Sequence, residues 1–168
     1  MTHPHAQPYP VNAAIITVST TRTKENDTSG QAIQGLLDGQ SIPVTHYALV
    51  SDRIDAIRNE LFLALKSANC IIINGGTGLT RDDCTIEAVS PLFEKRIEGF
   101  GEFFRMKSIG QIGTASMLSR AAAGIIAGKA VFCIPGSTPA VTLATSELIL
   151  PEIRSEEHTS ELQSPLNI

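Results

Sequence analysis

Four strand-like runs stand out along the chain, "AAIITV" (13–18), "VTHYALV" (44–50), "CIIIN" (70–74) and "AVFCI" (130–134), three of them nearly continuous in apolar residues. Runs of that length and texture predict strands, three of them covered on both faces as in a parallel sheet. Between them the apolar period changes to three and four. "DTSGQAIQGLLDG" opens with capping-type residues and gathers Ile33, Leu36 and Leu37 on one side. "SDRIDAIRNELFLALKSAN" does the same with Ile54, Ile57, Leu61 and Leu65. Further helices are predicted over 86–95, with Pro91 as a kink or break, and over 101–110, 117–127 and 138–149. Strands alternating with helices predict an α/β domain: a three-layer αβα sandwich on a mostly parallel central sheet, with right-handed crossovers. No internal repeat or linker divides it.

The pattern fails at both ends. "MTHPHAQPYP" is polar, so 1–12 reads as a flexible N-terminal arm without the charged and apolar regions of a secretory signal. "RSEEHTSELQSPLNI" has neither the Ala/Gly/Ile texture of the body nor a sustained amphipathic period. Its "RSEEHTSELQS" matches one reading frame of a common short-read sequencing adapter. The segment 154–168 is therefore expected to be a non-native tail, with the natural sequence differing after Ile153. One domain over 13–153 remains.

Composition narrows the function classes. Aromatics are 5% of the chain and Trp is absent, so aliphatic residues and Ala must fill the core. A net charge of -4 with scattered Lys and Arg argues against a broad nucleic-acid surface. No apolar run approaches the roughly 20 residues of a membrane span, and the cytoplasm is the expected compartment. Cys70, Cys84 and Cys133 are too few and too spread for a disulfide framework, and Cys70 and Cys133 sit in apolar runs as packing residues. No CxxC or HxxxH spacing suggests structural zinc. His46 lies inside a strand pattern and reads as a satisfied structural histidine.

In parallel sheets, ligands collect outside the carboxyl ends of the strands. The loops there are "STTRTKENDTSG", "SDRID", "GGTGLTRDD" and "PGSTPA". Gly75, Gly76 and Gly78, with Thr77 between them, remove side chains where backbone must come close to something. A tight turn for packing and an anion cradle of exposed N–H groups both fit that pattern. The spacing is neither a P-loop nor a dinucleotide fingerprint. Asp82 and Asp83 follow in the same loop, and Asp52 follows the preceding strand. Each alone suits a turn or a cap; together beside a glycine loop they suggest oxygen ligands for Mg²⁺ accompanying phosphate. Pro135, Gly136 and Ser137 form a second turn at this edge, and Ser19, Thr20, Asp27, Thr28 and Ser29 border it as wall, cap or turn residues. Arg22, Arg81, Arg105 and Arg120 are the remaining charged candidates, Arg120 for a structural pairing or for the pocket.

"INGGTGLTRDD", "EGFGEFFRMKSIGQIGTASMLSRAAAG" and "IPGSTPA", in that order, resemble the MoaB/MogA family of molybdenum cofactor biosynthesis from about Ala13 to Ile153. "ENDTSG" also fits, and "LFEKRIEGFGEFFRMKS" is closer to MoaB than to MogA. The resemblance implies a domain that binds molybdopterin and assembles as a homotrimer or homohexamer, with other proteins of the pathway as further partners. It also implies adenylylation of molybdopterin with Mg-ATP; the alternative is a carrier that binds pterin or nucleotide without turnover. By the same resemblance Asp52 and Asp83 are the catalytic and metal-holding acids. Gly75, Gly76, Thr77, Gly78 and Asp82, with Pro135, Gly136 and Ser137, are the substrate-binding residues. The chain departs from the MogA-like pattern after Asp83, where Cys84-Thr85-Ile86-Glu87 stands for Val-Thr-Pro-Glu. Ile86 lacks the ring that pre-sets a first helical turn. A second departure is the tail, which replaces the continuation of the family's last helix.

Overall fold

A computed structural model describes residues 10–154; residues 1–9 and nearly all of the expected non-native tail lie outside it. Six strands form one sheet: β1 (Ala13–Val18), β2 (Val44–Val50), β3 (Cys70–Asn74), β4 (Lys95–Arg96), β5 (Ala122–Ile126) and β6 (Lys129–Ile134). Their spatial order is β2-β1-β3-β6-β5-β4. β2, β1, β3 and β6 are mutually parallel, so their carboxyl ends share one edge, while β5 runs antiparallel to both its neighbours.

The sheet divides the apolar residues by parity, as pleating requires. Ala13, Ile15, Ile72, Phe132 and Ile134 face one layer. That layer holds α1 (Thr28–Asp38), α4 (Glu98–Ile112), α5 (Thr138–Leu143) and α6 (Leu150–Arg154), with a wide helical turn over Ala144–Ile149 joining the last two. Ala14, Ile16, Ile71, Ile73 and Cys133 face the other layer, made of α2 (Ile54–Ala64) and α3 (Thr85–Val89). Interior strands buried on both faces explain why β1 and β3 read as unbroken apolar runs. Cys70 and Cys133 are buried packing residues, and His46 Nε2 lies 2.7 Å from Glu60 Oε1. No helix among the described residues is long and apolar enough to cross a membrane.

The helix expected over 117–127 does not exist. A 3-10 turn over Gly113–Leu118 ends there and β5 follows, turning back into β6 at Ala127 (φ 50°) and Gly128 (φ 71°). Small residues at this place serve packing: a Cβ on Gly124 would sit 2.4 Å from the Phe93 ring and 2.7 Å from the Lys95 carbonyl. The helix expected over 86–95 is also shorter. α3 ends at Val89, Pro91 sits in a 3-10 turn over Ser90–Leu92, and β4 takes up the chain. Ile57 and Leu61 of α2 and Leu65 at its carboxyl end are buried as expected, whereas Ile54 is 41% exposed.

Candidate functional site

Gly75 leaves β3 with φ 98°, and its N–H still donates to Ile134 O at 2.9 Å, so the turn stays attached to β6. A Cβ there would lie 2.4 Å from Val18 O. One on Gly76 (φ 68°) would lie 2.3 Å from Thr85 Oγ1, and one on Gly136 would lie 3.0 Å from Gly75 Cα. These three glycines are thus demanded by contacts within the chain: the two loops touch backbone to backbone. Thr85 stitches the turn to α3, its N–H donating to Gly76 O at 3.0 Å and its hydroxyl to Gly75 O at 2.8 Å. Ile86, beside it, packs on the core where the family pattern has proline.

Arg120 grips the loop from its other side. Nε donates to Gly78 O at 3.0 Å and to Thr77 O at 3.3 Å, while the guanidinium forms a two-pronged pair with Glu87. Its hydrogen bond to Arg120 holds the Glu87 carboxyl below the usual range. The pairing reading of Arg120 is correct, and the loop carbonyls are additional acceptors. Asp83 Oδ2 accepts from Thr80 N at 3.0 Å and Thr80 Oγ1 at 2.7 Å, which closes the loop on itself. Gly78 leaves space for that carboxylate, since a Cβ would be 2.7 Å from Asp83 Oδ2.

A cleft of about 720 Å³ runs along Gly76, Thr77 and Gly78, past Asp83, to Pro135, Gly136 and Ser137. Ser108, Ile112 and Leu118 of α4 and the following turn complete it. An apolar wall opposite a few convergent polar groups suits a small organic ligand, and Asp83 is the one charged side chain among the lining residues. The α4 wall was not anticipated, because Phe104, Ser108 and Ile112 sit on a helix apolar on several sides and no single stripe marks them. Gly75 falls instead on a second cleft of about 450 Å³ beside Ser19, Thr21 and Arg22. Asp82 is exposed and lines neither cleft. Asp52 also lines neither, and its Oδ2 accepts from Thr20 Oγ1 at 2.6 Å.

Asp52 and Asp83 nevertheless act on one common group, the Cys84 thiol. Burial pushes that thiol up first, and the charges of Asp52, Glu87, Asp83 and Asp82 push it further. Among the described residues, no three His, Cys, Asp or Glu side chains are placed to hold a metal.

Beneath the clefts, Asp27 is fully buried. Its carboxylate accepts from Tyr47 Oη at 2.5 Å, Thr17 Oγ1 at 2.7 Å, Gly30 N at 3.1 Å and Ser29 Oγ at 3.3 Å. Burial alone would raise the carboxyl; those bonds outweigh it and the net shift is downward. Burial, with the same bond, raises the Tyr47 phenol. Asn74 extends the network, donating to Thr17 Oγ1 at 2.9 Å, and its Oδ1 lies 3.0 Å from Ser29 Oγ, whose single proton it shares with Asp27 Oδ1. The motif "NDTSG" therefore caps α1, with Ser29 bridging to β3 and Gly30 making room for the Asp27–Tyr47 bond.

Residues 14–155 match the family model described as a probable molybdopterin binding domain. The molybdenum cofactor biosynthesis protein B of Bacillus cereus is 46% identical over 154 residues, which is 90% of this chain and 91% of that protein. A crystal structure of a molybdenum cofactor biosynthesis protein B superposes with a TM-score of 0.87 at 45% identity, over 94% of this chain and 99% of the other. The tungsten cofactor synthesizing protein MoaB of Pyrococcus furiosus gives 0.80 at 38% identity, over 88% and 94%. The three-layer α/β fold with its mostly parallel six-stranded sheet is common to these structures. The chain belongs to the MoaB/MogA family of molybdenum cofactor biosynthesis proteins, on which it carries the molybdopterin-binding domain.

Proposed function

We propose that the larger cleft binds molybdopterin and that the protein transfers an adenylyl group to it from Mg-ATP. The observation that carries this reading is the 720 Å³ cleft itself, apolar along α4 and bordered by loop backbone and the Asp83 carboxylate. In the reaction a phosphate oxygen of molybdopterin forms a bond to the α-phosphorus of ATP. The bond from that phosphorus to the bridging oxygen breaks, and pyrophosphate leaves with the electron pair. Asp52 and Asp83 are the carboxylates that would hold Mg²⁺, which would supply neutralisation of the phosphate charge. Thr80 orients the Asp83 carboxylate, and Arg120 fixes the carbonyls of Thr77 and Gly78 so the loop keeps its shape as charge develops.

One observation favours the carrier reading: Asp52 does not line the cleft. Pyrophosphate release from Mg-ATP and molybdopterin decides between the two. In the transferase, Asp83→Asn keeps molybdopterin binding while turnover falls by roughly two orders of magnitude or more. Wild-type protein that binds molybdopterin and releases no pyrophosphate is a carrier. Assembly as a homotrimer or homohexamer is part of the same proposal, supported by an apolar stripe of Phe103, Met106, Ile109 and Ile112 on α4, each more than half exposed.

A further inference from the structure

Asn74 is the one asparagine of the chain followed by glycine. Such a step can modify itself. The backbone nitrogen of the glycine can attack the side-chain carbonyl of the asparagine, and glycine brings no Cβ to hinder closure of the five-membered ring. Here the step ends an interior strand, and Asn74 is fully buried. Every atom the reaction needs is engaged. Gly75 N–H donates to Ile134 O at 2.9 Å, which ties the attacking nitrogen to β6. The leaving amide, Nδ2, donates to Thr17 Oγ1 at 2.9 Å and to Ile16 O at 3.4 Å, and Oδ1 lies 3.0 Å from Ser29 Oγ. Asn74 also pairs with Thr17 on one side and Ile134 on the other, and ring closure requires its ψ to leave that extended region. The fold blocks the reaction at the nucleophile, the leaving group and the backbone torsion.

The product would not fit back into the same place. An aspartate at 74 sets an oxygen where Nδ2 donated, against the Ile16 carbonyl and Thr17 Oγ1. Thr17 gives its single proton to Asp27 Oδ2 at 2.7 Å, so acceptor would face acceptor. Arg22, 3.5 Å from Asp27 Oδ1, is already paired. A second carboxylate beside buried Asp27 lacks the donors that hold the first.

We propose that Asn74–Gly75 is a latent self-modification site, gated by separation of β3 from β1 and β6 and irreversible once used. When the strand opens, Gly75 N bonds to Asn74 Cγ, the Cγ–Nδ2 bond breaks, and ammonia leaves with the proton that Gly75 loses. Water then opens the cyclic imide to aspartate or isoaspartate. The chemistry is independent of what either cleft binds.

Peptide mapping by mass spectrometry tests it, on the full wild-type chain incubated in mildly alkaline buffer with and without denaturing urea. The unfolded chain should convert Asn74 at least about 100-fold faster than the native one, because only the open fraction reacts. Native conversion within about tenfold of the unfolded rate, or an unfolded chain that leaves Asn74 intact, overturns the gated site. Asn74→Asp supplies one of the two products directly. It should lower the urea midpoint or prevent folding altogether, and a midpoint equal to that of wild type overturns the irreversibility.

Discussion

At the scale of single residues, the most consequential side chain beneath the site is Asp27, a charge held in full burial by four neutral donors with the Arg22 guanidinium 3.5 Å away. Burying a carboxylate is costly unless each oxygen is bonded, and here both oxygens are. Asp27→Asn replaces one acceptor with a donor facing Tyr47, Thr17 or Gly30. It should lower unfolding free energy at neutral pH by about 1–3 kcal/mol, the cost of leaving buried partners unpaired. The pH dependence has a definite sign. The folded carboxyl titrates below its unfolded value of about 4, so its stabilisation is complete above that value. As pH falls through the lower folded value the contribution disappears. Urea midpoints from pH 7 down to the acid limit should fall less steeply for Asp27→Asn than for wild type. Gly75 offers a second test at this scale. A methyl there meets Val18 O at 2.4 Å on a backbone with φ 98°, so Gly75→Ala should cost about 2 kcal/mol or more in the same measurement. Gly76→Val would be no clean probe of a ligand, because the added side chain strikes Thr85 first.

Among the elements, α1 carries a glycine that nothing requires. A Cβ on Gly35 would meet no atom within 4 Å. Gly35→Ala should therefore raise stability by about 0.5–1 kcal/mol, read as a higher thermal midpoint. This contrast with Gly75 is invisible in the sequence, where each is simply a glycine. The elements themselves were legible in proportion to their burial. β1, β3 and β6 appear as apolar runs because a strand covered on both faces must be apolar at nearly every position, and the edge strand β2 keeps enough Val, Tyr and Leu to be read as a strand. β4 and β5 were not legible. β4 has two exposed residues, and "AAAGII" carries Ala and Gly for close packing against Phe93, a texture that suits a helix equally well. The hairpin signal between β5 and β6 is weak because Ala127 stands where such turns favour Asn or Asp. Of the site, the loops after the strands were legible from topology and glycine spacing. The cleft wall from α4 was not, since a helix apolar inward and outward hides which side lines a ligand.

For the whole molecule, that outward side of α4 is the feature to test. Phe103, Met106, Ile109 and Ile112 recur every three residues while Phe100, Phe104 and Ser108 face the core. Exposed apolar area of that continuity marks a contact surface. Light scattering at micromolar concentration should give three or more chains per particle, and Met106→Glu with Ile109→Glu should reduce the mass toward one chain. The septum of Gly76, Gly136 and Ser137 has its own consequence at this scale. Gly75 and Gly136 leave no space for a side chain between their backbones, so neither loop can shift toward the other alone. Were both clefts to take a guest, whatever factor one guest imposed on the affinity of the other would be returned identically, since they share Gly76, Gly136 and Ser137.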